Sequence, residues 1–198
     1  MGRTMKTKPK HIGNVILAYD RPKDQRGVCL FLVEKESENK KDIRRKRKRV
    51  GIGKRVPPGG AYKPSDPSQR HAAQRELWEE TGNSWWIPIG SLHKVAELEG
   101  YEPRPDSPQS WRRARLKWVV HIYETVIPDH LHGSFRLSKG IVEAGWHPAR
   151  RLPWREMING DRFWLPRLVK GQKLRIKVLF DYDFERVVSR LIIRASFR

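Results

Sequence analysis

The segment RELWEETG places three glutamates, Glu76, Glu79 and Glu80, within five consecutive positions of a chain whose formal net charge is +20. On a helix with 3.6 residues per turn, these three carboxylates share one face. Like charges three and four residues apart repel by about 0.2–0.5 kcal/mol per pair, so a compensating positive charge is needed. Two interpretations are open. Either Arg70 and Arg75 balance an ordinary solvated surface, or bound cations hold the carboxylates together.

Bound cations would account for both the residue type and the spacing. Carboxylates on a rigid helix offer hard oxygen ligands, which suit Mg²⁺ or Mn²⁺ together with substrate phosphates. The pair Gly59–Gly60 precedes the segment, and glycine lets the backbone approach a cation or a phosphate closely. Under this second interpretation, the three glutamates are metal ligands and the Gly59 carbonyl is a candidate fourth ligand. Gly60 and Lys54 are predicted to contact the substrate.

A helix is predicted to carry the glutamates. It begins at Asp66 as the N-cap, with Pro67 at the first helical position and Gln69 at the third. It ends at Gly82, because glycine is the preferred residue after a helix. The helix therefore starts shortly after the glycine pair, and this order predicts that both belong to one site.

The rest of the chain alternates apolar runs with turn-forming residues. The run at 28–33 is apolar throughout, so we predict a strand buried on both faces, with Cys29 inside it. Residues 184–194 fit either a strand or a helix. The order strand, strand, helix, strands, helix, strand predicts one mixed α/β domain. Further strands are predicted at 12–19, 93–98, 116–126 and 178–182, and a second helix at 162–169.

The composition indicates a folded protein. The chain has 8 Trp, 5 Tyr and 6 Phe, whereas disordered chains are poor in aromatic residues. Its single cysteine excludes an internal disulfide and fits a reducing compartment. No run approaches the ~20 apolar residues of a membrane span, and no secretory signal is recognisable. We predict a soluble cytoplasmic protein with a flexible basic N-terminus at 1–10 and one domain at 11–195. Trp85 and Trp86 are interpreted as core residues.

A basic run interrupts the predicted domain. Residues 40–55 contain ten Lys or Arg and one acid, so they supply nine of the twenty net positive charges. Such runs are usually solvated loops, and we predict a loop insertion at 36–52. The run attracts phosphates, either to steer a polyphosphate substrate or to bind RNA. The predicted phosphate or nucleic-acid contacts are Arg44, Arg45, Lys46, Arg47, Lys48 and Arg49.

The glycine pair and RELWEETG together resemble the signature of the Nudix hydrolases. That pattern is Gly, five residues, Glu, seven residues, then Arg-Glu-apolar-x-Glu-Glu-x-Gly-apolar. Counted from Gly60, Asp66 stands at the first Glu, with one extra residue before Arg75. Asn83 replaces the final apolar residue. The resemblance implies the Nudix fold, an α/β/α sandwich around a mixed β-sheet. The residues that match by type are Gly60, Arg75, Glu76, Leu77, Glu79, Glu80 and Gly82.

Segments outside this signature resemble the animal MutT-type enzymes that act on oxidised purine nucleotides. These segments are GKRVPPGG, SLHKV, GWHPARRLPWREM and DRFWLPRLVKGQK. In those enzymes a Trp-Pro-Asp-Asp segment reads the base. Only its second Asp is matched, by Asp161, which is therefore the predicted base contact. Val56 stands where the group has a base-reading Asn. Glu143 lies near the place of a further metal-binding Glu and is interpreted as structural.

The resemblance implies a divalent-metal-dependent pyrophosphohydrolase that cleaves a nucleoside diphosphate linked to a further group. A nucleoside triphosphate, with oxidised purines the first to try, would give a monophosphate and pyrophosphate. Glu79 is the first candidate for the general base, and Arg75 is predicted to orient a glutamate. The alternative is an RNA-binding Nudix protein, either a decapping-type enzyme or a non-catalytic ribonucleoprotein component. Mg²⁺ is the predicted cofactor, with Mn²⁺ as an alternative, and a monomer or weak dimer is expected.

Overall fold

The computed structural model describes residues 9, 11–21, 27–33, 52–103, 111, 114–134, 136–138, 140–180 and 187–197. Within these residues the chain forms nine strands and two α-helices, joined by turns and short 3₁₀ segments. The strands are β1 (His11–Tyr19), β2 (Gly27–Val33), β3 (Arg55–Val56), β4 (Gly59–Ala61), β5 (His93–Glu102), β6 (Arg115–Val126), β7 (Ile141–Pro148), β8 (Leu174–Phe180) and β9 (Val187–Arg194). The helices are α1 (Gln69–Glu80) and α2 (Leu165–Leu168).

All nine strands join one mixed sheet. Its main path runs β3-β2-β1-β6-β5-β8-β9, with β4 paired to β1 and β7 paired to β2. The pairs β1–β6 and β5–β8 are parallel, and the other pairs are antiparallel. The mixed sheet expected from the order of elements is therefore confirmed.

Helices cover both faces of this sheet. Successive side chains of a strand point to opposite faces, and β1 divides its core residues accordingly. Ile16 and Ala18 pack in the cluster that contains residues of α1. Leu17 and Tyr19 pack in the cluster that contains residues of α2. The α/β/α sandwich is thus also confirmed, and the two faces are called here the α1 face and the α2 face.

Strand β2 is buried as predicted. Its first five residues are all buried, on both faces of the sheet. Cys29 lies among them as a free thiol. Burial raises the pKa of the Cys29 thiol above its usual value, and the nearby Glu80 carboxylate adds to the rise. Cys29 is therefore a packed core residue and not a reactive nucleophile.

Helix α1 begins two residues later than predicted. Ser68 is the N-cap, and its side-chain oxygen accepts from a backbone N–H of the first turn. Asp66 instead accepts hydrogen bonds from the Arg75 guanidinium. The prediction of an N-cap at Asp66 is wrong, because its carboxylate is engaged by a cation of the helix. The predicted end is confirmed, since Gly82 follows the helix with φ +60°.

The predicted second helix is divided into two pieces. A 3₁₀ turn covers Asp161–Phe163, and α2 covers only Leu165–Leu168. Trp164 lies between them with a φ of −121°, which is outside the helical range. A single helix over 162–169 is therefore wrong, and two short turns cap the α2 face.

The two C-terminal strands differ from their predictions in different ways. β8 begins at Leu174, four residues before the predicted start, and pairs in parallel with β5. The ambiguous tail is a strand, β9, from Val187 onward. β7 was not predicted, because its sequence IVEAGWHP is interrupted by Gly and Pro and most of its residues are only partly buried.

Several predictions from the sequence fall outside the described residues. Of the predicted loop at 36–52 only Ile52 is described, so the six basic residues at 44–49 lie outside. Of the N-terminus at 1–10 only Pro9 is described. The domain limits therefore remain predictions. Among the described helices, none has the length and apolar character needed to cross a membrane.

Candidate active site

Two of the three glutamates of α1, Glu76 and Glu80, lie against β4, the short strand that contains the glycine pair. The backbone N–H of Gly59 donates to Glu80 Oε2 at 2.9 Å. One residue further along β4, Gly60 lies directly beneath the carboxyl group of Glu76. We call the surface formed by Glu76, Glu79 and Glu80 the carboxylate face. The helix and the glycine pair are thus brought into one site.

Both glycines of the pair are required by close approaches. A Cβ built on Gly60 would fall on the Glu76 carboxyl group. Gly59 has a φ of +152°, and a Cβ there would overlap the Asn14 carbonyl and lie 2.8 Å from Val15 Cα. Neither position accepts a larger residue without displacing backbone or a glutamate. Glycine permits these close approaches because it has no Cβ.

Arg75 joins the carboxylate face to the loop ahead of the helix. Its Nη1 donates to Glu76 Oε1 at 2.7 Å and to Glu79 Oε2 at 3.0 Å. Its Nε and Nη2 donate to the two oxygens of Asp66 at 2.8 and 2.9 Å. Nη2 also donates to the Ala61 carbonyl at 3.0 Å. These hydrogen bonds, first of all those to Asp66, raise the pKa of Arg75. The guanidinium therefore stays charged and offsets the repulsion between the glutamates.

Asp66 has a role in the site that its predicted place as an N-cap did not indicate. Its side chain is buried and also accepts from the Lys63 backbone N–H at 2.8 Å. The hydrogen bonds from Arg75 lower the pKa of Asp66 to about 2. The carboxylate thus fixes both Arg75 and the loop. The available signal was its place in the Nudix pattern, where Asp66 corresponds to the first Glu.

Glu80 and Glu79 differ in their surroundings. Burial raises the pKa of Glu80 to about 8, and the charges of Glu76 and Glu79 add to the rise. The hydrogen bond from the Gly59 N–H acts in the opposite direction and lowers this pKa. The Glu79 side chain is 42% exposed and lies 3.4 Å from Lys63 Nζ. Glu80 therefore resists ionisation until more positive charge reaches it, whereas Glu79 faces solvent. This exposure suits a residue that meets substrate.

The donor set of the carboxylate face fits a hard dication. It offers several carboxylate oxygens beside the backbone of the glycine pair, and such ligands suit Mg²⁺ and Mn²⁺. As the side chains stand, no three His, Cys, Asp or Glu within the described ranges are grouped closely enough to enclose a metal ion. The carboxylate oxygens of the carboxylate face instead accept hydrogen bonds from Arg75 and the Gly59 N–H. Metal binding therefore requires these oxygens to exchange their present partners.

The other predicted substrate contacts do not join the carboxylate face. Lys54 precedes β3, where its carbonyl accepts from the Val33 N–H at 3.1 Å. Asp161 opens the 3₁₀ turn before α2, so it belongs to the α2 face. Burial raises the pKa of Asp161 to about 7. The structure thus groups the glycine pair and Arg75 with the three glutamates, and it leaves Lys54 and Asp161 elsewhere.

Arg55 forms a second cationic centre, which sequence reasoning also missed. Its Nη1 and Nη2 donate to the two oxygens of Glu143 at 2.9 and 3.0 Å. Its Nε donates to Glu156 Oε2 at 2.7 Å. Glu143 is thus paired with Arg55, in a structural role. No local spacing could reveal these pairs, because their members are 88 and 101 positions apart.

The two adjacent tryptophans divide between core and surface. Trp85 is fully buried and stacks on Trp146, with ring centroids 5.7 Å apart. Trp86 is 61% exposed and meets Trp78 edge to face at 5.8 Å. The interpretation as core is therefore correct for Trp85 and wrong for Trp86.

Two solved structures share this fold at low sequence identity, and a third matches more weakly. The MutT protein from Methanosarcina mazei Go1 is 18% identical with a TM-score of 0.55, covering 83% of this chain and 96% of that one. The NUDIX domain of Shewanella oneidensis NrtR, complexed with ADP ribose, is 14% identical with a TM-score of 0.52, covering 83% and 89%. A MutT/nudix family protein from Enterococcus faecalis is 18% identical with a TM-score of 0.47, and the match covers 74% of this chain but only 46% of that protein.

Sequence comparison places the chain in a family. No curated protein sequence matched it. The family model described as NUDIX domain matches residues 16–168, which is more than half of the chain. The matched range includes the glycine pair, Arg75 and the whole carboxylate face. The chain belongs to the Nudix family.

Proposed function

We propose that the protein is a divalent-metal-dependent pyrophosphohydrolase acting on a nucleoside diphosphate linked to a further group. The observation that carries this proposal is the carboxylate face, which lies against Gly59 and Gly60 and is organised by Arg75. A structural scaffold would have no use for three crowded glutamates, one of which has its pKa raised to about 8 by burial and by the other two.

Each residue of the site has a distinct proposed task. When bound, Mg²⁺ or Mn²⁺ would neutralise polyphosphate charge and lower the pKa of a water molecule. Glu76, Glu79 and Glu80 are the proposed ligands, together with the Gly59 carbonyl. Glu79 is also the proposed general base, because it is the exposed member of the set. Arg75 orients Glu76 and Glu79 through its hydrogen bonds to them and does not contact substrate.

A nucleoside triphosphate is the proposed substrate, with oxidised purine triphosphates the first to test. Water would attack phosphorus, a phosphoanhydride bond would break, and a monophosphate and pyrophosphate would leave. The resemblance of several segments to MutT-type enzymes supports this choice. Asp161 is the proposed base contact, because a buried carboxyl with a pKa near 7 can donate as well as accept hydrogen bonds. Gly60 and Lys54 are proposed phosphate contacts. We further propose a cytoplasmic monomer or weak dimer.

The test is a substrate panel with the purified full chain. Unmodified and oxidised purine triphosphates, ADP ribose, dinucleoside polyphosphates and capped RNA are incubated with Mg²⁺, with Mn²⁺ or with chelator. The proposal expects metal-dependent release of pyrophosphate or monophosphate, fastest with a nucleoside triphosphate and abolished by chelator. Absence of turnover with every substrate in both metals would contradict it.

RNA binding is the second candidate function. The observation in its favour is the basic run, with nine net positive charges within residues 40–55. Retention of RNA by phosphate contacts falls steeply with salt. A filter-binding titration between about 50 and 300 mM salt, with the full chain and a chain lacking residues 40–49, measures this. Binding that disappears with the deletion supports the candidate, and equal binding by both chains contradicts it. Unchanged turnover of nucleotides by the deletion would show that the run does not steer substrate.

A further inference from the structure

Asn14 is a buried polar side chain directly behind the glycine pair. It lies on β1 and is 2% exposed. Among the residues that the structure describes, neither its amide nitrogen nor its amide oxygen has a hydrogen-bond partner. Buried amides without partners destabilise a fold and are uncommon in native proteins. A role beyond packing would account for this residue.

Strand pairing directs the Asn14 side chain towards Glu76. Asn14 is directly opposite Gly60 in the antiparallel pair of β1 and β4. Residues opposed in this way project to the same side of a sheet, with Cβ positions about 5 Å apart. The Cβ position of Gly60 is taken by the Glu76 carboxyl group. The Asn14 amide is therefore within reach of that group, by a side-chain rotation or through one water molecule.

The two oxygens of Glu76 have different surroundings. Oε1 accepts from Arg75 Nη1 at 2.7 Å. Oε2 is the atom nearest to the Cβ position of Gly60, so it lies on the side from which Asn14 approaches. Arg75 thus holds one oxygen from the helix side, and Asn14 faces the other oxygen from the sheet.

We propose that Asn14 is a positioning residue for Glu76, with Asn14 Nδ2–H donating to Glu76 Oε2 when the carboxylate face binds a dication. This inference rests on the proposed function, because it requires the face to bind metal. A hydrogen bond to a ligating carboxylate fixes its orientation and typically changes metal affinity by about 10–100-fold. Asn14 acts through Glu76 and contacts neither metal nor substrate.

His121 is the neighbour of Asn14 on the adjacent strand. It is beside Asn14 in the parallel pair of β1 and β6, so both side chains lie on the α1 face. Within the described part of the chain, His121 Nδ1 also lacks a hydrogen-bond partner, although it lies 3.6 Å from Glu97 Oε2. Once Asn14 Nδ2 donates to Glu76, the amide oxygen is turned away from Glu76 and towards the imidazole.

The substitution Asn14→Leu tests the inference, because leucine has a similar volume and no amide. We expect the dissociation constant for Mn²⁺, measured by EPR titration, to rise about tenfold. The thermal midpoint of the metal-free protein should stay equal or rise, since an unpartnered buried polar group is removed. If Asn14 contributed only by packing, the substitution would lower the thermal midpoint and leave the dissociation constant for Mn²⁺ unchanged. Unchanged Mn²⁺ affinity would overturn the inference.

Thr125→Val is the matched control. Thr125 is a buried polar residue on the same face of the sheet, four positions beyond His121 on β6. The substitution Thr125→Val also removes a buried polar group, but at a position further along β6 than His121, the neighbour of Asn14. The control should leave the dissociation constant for Mn²⁺ within twofold of the wild-type value. A tenfold rise in this control as well would mean that general destabilisation explains the effect, and the inference would fall.

Wild-type protein provides a measurement that does not depend on how a variant folds. In nitrogen-15 NMR spectra, both Asn14 side-chain amide protons should shift on titration with Mg²⁺, with the same midpoint as metal binding. Amide signals that stay fixed while the wild-type protein binds Mg²⁺ overturn the inference and leave the proposed function intact. Wild-type protein that binds neither Mg²⁺ nor Mn²⁺ overturns both.

Discussion

Acidic residues on the two faces of the sheet have different surroundings. On the α1 face Arg75 connects Asp66 with Glu76 and Glu79, so every one of these carboxylates has a charged partner. On the α2 face Asp161 is buried beside an apolar cluster, and burial alone raises its pKa to about 7. The comparison of Asp66 with Asp161 shows that an arginine partner lowers the pKa of a buried carboxyl group, whereas burial without such a partner raises the pKa, as it also does for Glu80.

The largest expected effect comes from the α1 face. Glu79→Gln and Glu80→Gln should each lower metal-dependent turnover by about 10³-fold, because each loses a metal ligand or the general base. Steady-state release of phosphate products from the best substrate of the panel measures this. Circular dichroism should show that both variants stay folded.

Glu124→Gln is the control for this pair of variants. It makes the same chemical change on β6, away from the carboxylate face. Its turnover should stay within about twofold of wild type. A change of that size corresponds to no more free energy than an exposed ion pair contributes. Near-normal turnover by pure Glu79→Gln or Glu80→Gln would contradict the mechanism.

Asp161→Asn tests the α2 face. The pKa of Asp161 is raised in the folded state, so the fold holds a proton that the unfolded chain releases above about pH 4. Wild-type protein should therefore lose roughly 4 kcal/mol of unfolding free energy between pH 4 and pH 8 at this site, and Asp161→Asn should not. Urea unfolding of both proteins at several pH values measures the difference. A stability difference between the two proteins that does not change with pH would contradict a buried carboxyl group with a raised pKa.

Asp66→Asn should show the opposite dependence on pH. Hydrogen bonds from Arg75 lower the pKa of Asp66 to about 2, so its contribution is complete above about pH 4 and is lost as pH falls towards 2. The variant should be less stable than wild type by roughly 2 kcal/mol at pH 6, and the gap should close in acid. The same urea series measures it. A gap that persists at pH 2.5 would show that Asp66 stabilises the loop by other means.

The smallest expected effect is at Lys63. Its ammonium lies 3.4 Å from Glu79 Oε2, but both side chains are exposed. Lys63→Gln should change the free energy of unfolding by no more than about 0.5 kcal/mol, since exposed ion pairs contribute little. Thermal unfolding checks this value. A loss as large as that of Asp66→Asn would mean that Arg75 is not the main organiser of the α1 face.

The sequence predicted the elements that carry strong local patterns. The continuous apolar run of β2 and the dense β-branched run of β6 were predicted within one residue of their observed limits. The start of α1 was misplaced because Asp66 meets Arg75, a contact that becomes visible only once the loop folds back on the helix. β7 was missed because its pairing with β2 is non-local and its own pattern is weak.

The candidate site was predictable where one helix carries it. Three glutamates on one face of α1 follow from spacing alone, and the glycine pair follows from its closeness in sequence. Arg55 with Glu143 and Glu156, and Asn14 beneath Gly60, depend on strand pairing across large separations. No periodicity in a single sequence encodes such register, so these residues emerge only from the fold.

Whether the carboxylate face binds a dication can be decided with a crystal grown with Mn²⁺ and an anomalous difference map. We expect one or more Mn²⁺ peaks bounded by Glu76, Glu79 and Glu80, with carboxylate oxygens turned from Arg75 and the Gly59 N–H towards the metal. A map without Mn²⁺ at these residues, with the glutamates still paired to Arg75, would contradict this expectation.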